Sequence, residues 1–196
     1  MSLPVPIIYP ITSGKANPDE ILRLVRAAVD AEIPLFQIRE KSLHARALFE
    51  LVVRAVEITR GSRTRLLIND RSDIARAAGA DGVHLTTQSL PADVVRSIYG
   101  AEFLIGVSTH SLDEALLART AGADFVVFGP VFEKRGYGEP QGLDKLAEVT
   151  RELGEFPVVA IGGITLDNAD ECFEAGARGI AAIRLLNDTE NLTRWK

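Results

Sequence analysis

Gln37, Arg39 and Lys41 occupy every second position of one short segment that is otherwise largely apolar. In a β-strand such residues share one face, and the apolar residues between them share the other. Two enclosed cations are costly without an anionic partner. The pattern therefore predicts that these three side chains bind a phosphate or pyrophosphate group. An internal ion-pair network with Asp70 or Glu40 is the alternative.

A carboxylate follows another apolar run, which ends at residue 68. Asn69, Asp70 and Arg71 come directly after it. At the end of a strand, and opposite the cations described above, Asp70 could hold Mg²⁺ through oxygen ligands and water. The alternative is that Asp70 caps the helix that follows.

Histidine is the usual proton shuttle near neutral pH, and the chain has three. His110 follows an apolar run, so it is a candidate acid/base residue, although a role in capping the next helix is equally compatible. His84 lies inside an apolar run and is interpreted as a buried core residue. His44 precedes a helical segment and is expected at the surface.

Two glycine-containing loops could bind an anion. Gly162 and Gly163 follow an apolar run and precede Thr165, which opens a helix. Their backbone N–H groups could approach a phosphate, whereas a tight turn alone is the alternative. Lys134 and Arg135 lie in a second loop, which could close on an anion as a lid. A solvated basic loop explains that second sequence equally well.

These residues must be positioned by the secondary structure. Apolar runs of strand length recur every 20 to 30 residues, and helical periodicity follows each of them. The predicted strands are Ile7–Thr12, Leu35–Glu40, Arg65–Asn69, Gly82–Leu85, Phe103–Ser108, Asp124–Gly129, Val158–Ile161 and Gly179–Ile183. Asn17, Pro18 and Glu20 mark the start of the first helix, and Ser111 with Glu114 marks a later one.

Eight alternating strands and helices indicate a parallel sheet. Without a dinucleotide fingerprint after the first strand, the pattern favours a closed (β/α)₈ TIM barrel that occupies residues 1–196 as one domain. Such barrels usually need about 250 residues, so the 196 residues of this chain imply short connections. The strand ends and the loops after them form the expected site.

Composition excludes several classes of function. The formal net charge is −5 and no basic stripe is present, so a nucleic-acid partner is not expected. Cys172 is the single cysteine, which excludes an internal disulfide and favours a reducing, cytoplasmic location. No apolar run reaches about 18 residues, so no membrane-spanning segment is expected. Cys172 is interpreted as a packing residue.

Seven ordered motifs together resemble the thiamin phosphate synthase/TenI superfamily, over about residues 9–183. They are Tyr9-Pro-Ile-Thr12, Gln37-Ile-Arg-Glu-Lys41, Asn69-Asp70-Arg71, Gly82-Val-His-Leu85, Gly106-Val-Ser-Thr-His110, Gly129-Pro130 and Ala160-Ile-Gly-Gly-Ile164. The resemblance implies a barrel that handles the thiazole phosphate of thiamin biosynthesis and, in the synthase, a pyrimidine pyrophosphate.

The resemblance also implies roles for individual residues. In the synthase pattern, Asp70 would ligate Mg²⁺ and Ser108 would line the pyrophosphate pocket. The thiazole phosphate would bind at the two glycines that follow the seventh strand. The residues implied in binding substrate or phosphate are Gln37, Arg39, Lys41, Asn69, Ser108, Lys134, Gly162 and Gly163.

Two departures from the synthase pattern affect the predicted chemistry. Ser89 stands where the synthase has a second Mg²⁺-binding aspartate, which weakens the metal site. The loop after Pro130 is about three residues short and lacks the usual hydroxyl residues, so that Lys134 comes early.

The leading hypothesis is therefore a TenI-type thiazole tautomerase that needs no cofactor and uses His110 as acid/base. A synthase that uses Mg²⁺ is the first alternative. The second alternative is a non-catalytic sensor of thiamin ligands. A homodimer is possible in each case.

Overall fold

The computed structural model describes residues 3–14, 17–133 and 139–195. Within these residues, strands and helices alternate from one end to the other. The strands are β1 (Ile7–Pro10), β2 (Leu35–Ile38), β3 (Arg65–Asn69), β4 (Gly82–Leu85), β5 (Leu104–Thr109), β6 (Phe125–Phe128), β7 (Val158–Ile161) and β8 (Gly179–Ala182). The helices are α1 (Pro18–Asp30), α2 (Ala45–Thr59), α3 (Ser72–Ala78), α4 (Ala92–Tyr99), α5 (Leu112–Thr120), α6 (Gly142–Leu153), α7 (Ala169–Glu174) and α8 (Thr189–Leu192). A 3₁₀ turn, Thr193–Trp195, follows α8.

The strands form one parallel sheet in the order β1-β8-β7-β6-β5-β4-β3-β2. The two ends of this sheet meet where Ile11 bridges to Gln37 and the Thr12 N–H donates to the Gln37 carbonyl at 3.0 Å. This arrangement confirms the predicted (β/α)₈ barrel. Five strands differ from their predicted bounds by one or two residues at one or both ends, because the ladder between neighbouring strands begins or stops there.

Apolar side chains form two cores, one inside the barrel and one between the sheet and the helices. Strand residues alternate between them: Tyr9 faces the interior, whereas Ile8 packs towards the helices. Gly106 makes room inside the barrel, because a Cβ atom there would lie 2.4 Å from Cζ of Phe125. Cys172 is buried in the outer core, which agrees with a packing role, and burial raises the pKa of its thiol to about 11.

The capping residues predicted for α1 and α5 lie at the starts of those helices. The side chain of Asn17 accepts a hydrogen bond from the Glu20 N–H, and that of Ser111 accepts one from the Glu114 N–H. His44 is the N-cap of α2 and is exposed, as predicted. No helix in the described residues has the length and apolarity needed to cross a lipid bilayer.

Candidate active site

Two adjoining cavities open at the carboxyl ends of the strands. The mouth cavity, about 250 Å³, lies over the barrel interior, and the glycine cavity, about 520 Å³, lies over the ends of β7 and β8. Both are lined by Ile161, Gly162 and Ile183, so the two cavities adjoin at these residues. The predicted site residues that line the mouth cavity are Gln37, Arg39, Lys41, Asn69, Ser108, His110 and Gly162.

The polar residues of β2 and of the segment after it enter the mouth cavity together. Gln37 is 1% exposed, and its Nε2 donates to Oδ1 of Asn69 at 3.4 Å, while its buried Oε1 has no hydrogen-bond partner among the described residues. Arg39 is held through its backbone, whose N–H donates to the Thr12 hydroxyl at 2.8 Å. Within the described residues, neither Arg39 nor Lys41 forms an ion pair, so the alternative ion-pair network is not found there.

A buried hydrogen-bonded chain runs from the barrel interior to the mouth cavity. Nδ1 of His84 lies 3.3 Å from the Tyr9 hydroxyl, and its Nε2 lies 2.8 Å from Oγ of Ser108. Burial, together with the charge of Arg39, lowers the pKa of His84 to about 3. His84 is therefore a buried, hydrogen-bonded histidine, as predicted, and it also lines the mouth cavity.

His110 is oriented by two hydrogen bonds. Its Nδ1 lies 2.5 Å from the carbonyl oxygen of Gly129, and its backbone N–H donates to Oε2 of Glu114 in the first turn of α5. A carbonyl oxygen only accepts hydrogen bonds, so Nδ1 must carry a proton. In the neutral ring, Nε2 then holds the free lone pair. His110 thus serves the start of the helix through its backbone while its ring lines the cavity.

The turn after β7 lines the glycine cavity. Gly162 and Gly163 have φ values of +101° and +68°, and their N–H groups find no hydrogen-bond acceptor among the described residues. A Cβ atom at Gly163 would lie 2.7 Å from Cβ of Phe132. Both the turn and the close approach of the preceding loop therefore require glycine, and the turn leaves its N–H groups available to an anion.

Arg184 lines the same cavity and was not identified from the sequence. It lies just after β8, and phosphate sites in this fold are commonly built by the loops after strands seven and eight. That rule was the available signal for Arg184. Lys134 lies outside the described residues.

Asp70 lines neither of these two cavities, although its own cavity shares Lys41, Asn69 and Thr86 with the mouth cavity. It lines a third one, about 260 Å³, together with the cationic Lys41 and Arg71 and with Glu40, whose Oε1 accepts from the Gly14 N–H. Asp70 does not cap α3, because Arg71 occupies the N-cap position.

The hydroxyl of Ser89 is turned into its own loop, where it accepts from the Thr86 N–H at 2.8 Å. In the part of the chain that the structure describes, no three side chains among His, Cys, Asp and Glu are placed to share a metal ion.

Comparison with known proteins adds a consistent set of relatives. Residues 8–186 match the family described as thiamine monophosphate synthase. A putative thiamine-phosphate synthase from Geobacter sulfurreducens is 46% identical over 180 residues, which are 90% of this chain and 84% of the relative. A thiamine-phosphate synthase from Moorella thermoacetica is 42% identical over 88% of this chain and 83% of its own length.

A solved structure agrees with these relatives. The thiamine phosphate pyrophosphorylase from Pyrococcus furiosus superposes with a TM-score of 0.85 at 32% identity, covering 97% of this chain and 93% of that protein. A 3-hexulose-6-phosphate synthase matches at 17% identity with a TM-score of 0.70, which shows a shared fold.

Proposed function

This chain belongs to the thiamine monophosphate synthase family, and from that premise we propose that it is a TenI-type thiazole tautomerase acting on a thiazole phosphate carboxylate. The position of His110 carries the proposal. Its ring is held at the carbonyl of Gly129. The next residue, Pro130, packs against Gly162, and all four residues line the mouth cavity. A ligand anchored by its phosphate in the glycine cavity would therefore present its ring to His110.

The glycine cavity supplies the anchor for the phosphate. The N–H groups of Gly162 and Gly163, which bond to no acceptor in the described part of the chain, suit its oxygens, and Arg184 adds a positive charge to the same cavity. Anchoring converts the proton transfer into a step within one complex, which favours it through orientation and proximity.

His110 moves the proton in this proposal. Its Nε2 lone pair removes a proton from one carbon of the bound thiazole, and the ring then returns a proton to a second carbon. The reaction is an isomerisation, so no atom is gained or lost. Arg39 and Lys41 line the same cavity and stabilise the negative charge that develops while the first C–H bond breaks.

The synthase branch of the family implies Mg²⁺, and the residues here do not fit such a site. Mg²⁺ favours carboxylate oxygens and water. Asp70 shares its cavity with Lys41 and Arg71, and Ser89 replaces the second carboxylate with a hydroxyl already bonded to Thr86. The tautomerase step requires no metal.

The second candidate function is thiamin phosphate synthesis, in which the thiazole nitrogen displaces pyrophosphate from a pyrimidine pyrophosphate. The names of the relatives favour it, as do Arg39, Lys41 and Asn69 in one cavity. It predicts formation of thiamin phosphate that depends on Mg²⁺.

Two assays on the purified protein separate these functions. In the first, isomerisation of the thiazole phosphate carboxylate is followed in wild type and His110→Ala. We expect the variant to lose roughly 10²- to 10⁴-fold in kcat, the usual contribution of general acid–base catalysis. In the second, pyrimidine pyrophosphate and thiazole phosphate are supplied with Mg²⁺, and thiamin phosphate is measured.

The matched control is His44→Asn. His44 and His110 are both exposed, but His44 caps α2 and lines neither cavity, and asparagine can replace it as a cap. Its isomerisation rate should equal that of wild type. Equal rates for wild type and His110→Ala would refute the role of His110. If thiamin phosphate forms and the thiazole phosphate carboxylate is not isomerised, the protein is a synthase. If thiazole phosphate binds but neither reaction occurs, the protein is a sensor.

A further inference from the structure

The hydrogen-bonded chain of Tyr9, His84 and Ser108 has a direction that its surroundings determine. Tyr9 is 0% exposed and His84 is 3% exposed, whereas Ser108 is half-buried at the edge of the mouth cavity. The chain therefore begins at a fully enclosed hydroxyl and ends at one that a ligand can reach.

Two arrangements of protons are compatible with the distances. In the first, the Tyr9 O–H donates to Nδ1 of His84 and the Nε2–H of His84 donates to Ser108. In the second, Ser108 donates to Nε2 and the Nδ1–H donates to Tyr9. The second arrangement leaves the proton of the Tyr9 hydroxyl without an acceptor, because the described residues offer that group no partner except His84. A buried donor without a partner is costly, so the first arrangement is favoured.

The aromatic surroundings hold this geometry. The ring of Phe125 packs edge-on against Tyr9 with centroids 5.6 Å apart, and it also contacts the His84 ring. Gly106, which is paired with His84 in the sheet, leaves the space that the Phe125 ring occupies. Burial keeps His84 neutral, so the ring cannot donate from both nitrogens.

We propose that Tyr9 and His84 are positioning residues that commit the Ser108 hydroxyl to donate its proton to an anionic oxygen of the ligand in the mouth cavity. Because Oγ of Ser108 already accepts from His84, its own hydrogen is the group left for the ligand. Among the described residues, His84 is the one protein partner of that oxygen. The acceptor is a carboxylate or phosphate oxygen, and the proposal rests on the proposed function only for the identity of the ligand.

The direction of the chain can be measured without any ligand. The ¹⁵N NMR shifts of the imidazole rings distinguish a protonated nitrogen from one with a free lone pair. We expect His84 to show a proton on Nε2 and a lone pair on Nδ1 at pH 7, with Tyr9→Phe used to assign the signals. A proton on Nδ1, or on both nitrogens, would overturn the proposal even if the protein is an active tautomerase.

The consequence for binding is tested by calorimetry with two ligands, thiazole phosphate carboxylate and the thiazole phosphate that lacks the carboxyl group. We expect Ser108→Ala to weaken binding roughly 10- to 100-fold, which is the usual effect of losing a hydrogen bond to a charged group. A loss with both compounds assigns the acceptor to the phosphate, and a loss only with the carboxylated compound assigns it to the carboxylate. No loss with either compound would refute the donor role of Ser108.

A double-mutant cycle separates positioning from a merely structural role. His84→Leu should weaken binding about as much as Ser108→Ala, with no further loss when the two changes are combined. His84→Gln, whose amide N–H can still donate to Ser108, should restore most of the affinity. If His84→Leu weakens binding equally in the Ser108→Ala background, His84 acts through the fold and not through Ser108. Thermal unfolding of each variant confirms that it is folded at the assay temperature.

Discussion

Replacing Gly163 with alanine tests whether the turn after β7 is built for an anion. The backbone of Gly163 has a φ of +68°, which costs a residue with a Cβ atom about 1–2 kcal/mol. The new Cβ would also lie 2.7 Å from Cβ of Phe132 and 2.8 Å from the backbone oxygen of Glu133. Such crowding typically costs a further ~1–3 kcal/mol. We therefore expect Gly163→Ala to lower the free energy of unfolding by about 2–5 kcal/mol.

Gly61→Ala is the matched control. Gly61 has a similar φ of +77°, but a Cβ atom there would meet no described residue within 4 Å. The free energy of unfolding of Gly61→Ala should fall only by the cost of the positive φ, about 1–2 kcal/mol. Urea unfolding of both variants gives the difference, which reports the crowding between the turn and the preceding loop.

Calorimetry with thiazole phosphate provides the functional half of this test. In Gly163→Ala the N–H donors of the turn are displaced, and we expect affinity to fall at least tenfold, a change of about 1.4 kcal/mol. Gly61→Ala should bind as wild type does. Equal stability losses in the two variants would refute the crowding argument, and unchanged affinity in Gly163→Ala would refute the phosphate site.

The charge of Arg184, the protonation of His84 and the metal requirement of the reaction can each be measured. Arg184→Ala should weaken binding of thiazole phosphate roughly tenfold by calorimetry, since it removes a charged partner. Arg23→Ala is the control and should not weaken binding, because Arg23 lines a neighbouring cavity with Arg184 but does not line the glycine cavity. Equal affinities for wild type and Arg184→Ala would exclude a phosphate contact. The pKa of His84 is about 3 in the folded protein and near 6.5 in the unfolded chain. Between these pH values the unfolded state binds more protons than the folded state. The free energy of unfolding should therefore fall as the pH drops from about 6.5 towards 3, by up to ~1.4 kcal/mol per pH unit. Urea unfolding across that range should show a flatter profile for His84→Gln, and parallel profiles would contradict the assignment. Removal of divalent ions with EDTA should leave the isomerisation rate unchanged, and a loss that added Mg²⁺ restores would contradict a tautomerase without metal.

Much of the fold is readable from short stretches of sequence. The local signals are the eight apolar runs and the N-caps Asn17 and Ser111. They are enough to predict that strands and helices alternate along the chain, an order that only a few parallel folds have. The grouping of Gln37, Arg39 and Lys41 follows from the alternation of side chains along β2 and its continuation. The strand ends were less predictable, because pairing with neighbouring strands decides where each ladder stops.

Other features of the site join residues far apart in the chain. Tyr9 and His84 are 75 positions apart, and Ser108 is a further 24 positions away, so no local pattern predicts their hydrogen bonds. Arg184 joins the cavity of Gly162 only because β8 pairs with β7.

The sequence by itself determined which chemical groups are available at the strand ends, because periodicity and capping act over a few residues. Only the tertiary structure decided which of those groups share a cavity. Asn69 lines both the mouth cavity and the third cavity, whereas Asp70, the next residue, lines only the third. The backbone of Asp70 has a φ of +63°, so the chain leaves the extended path of β3 at this residue, and the Asp70 side chain meets different neighbours from that of Asn69.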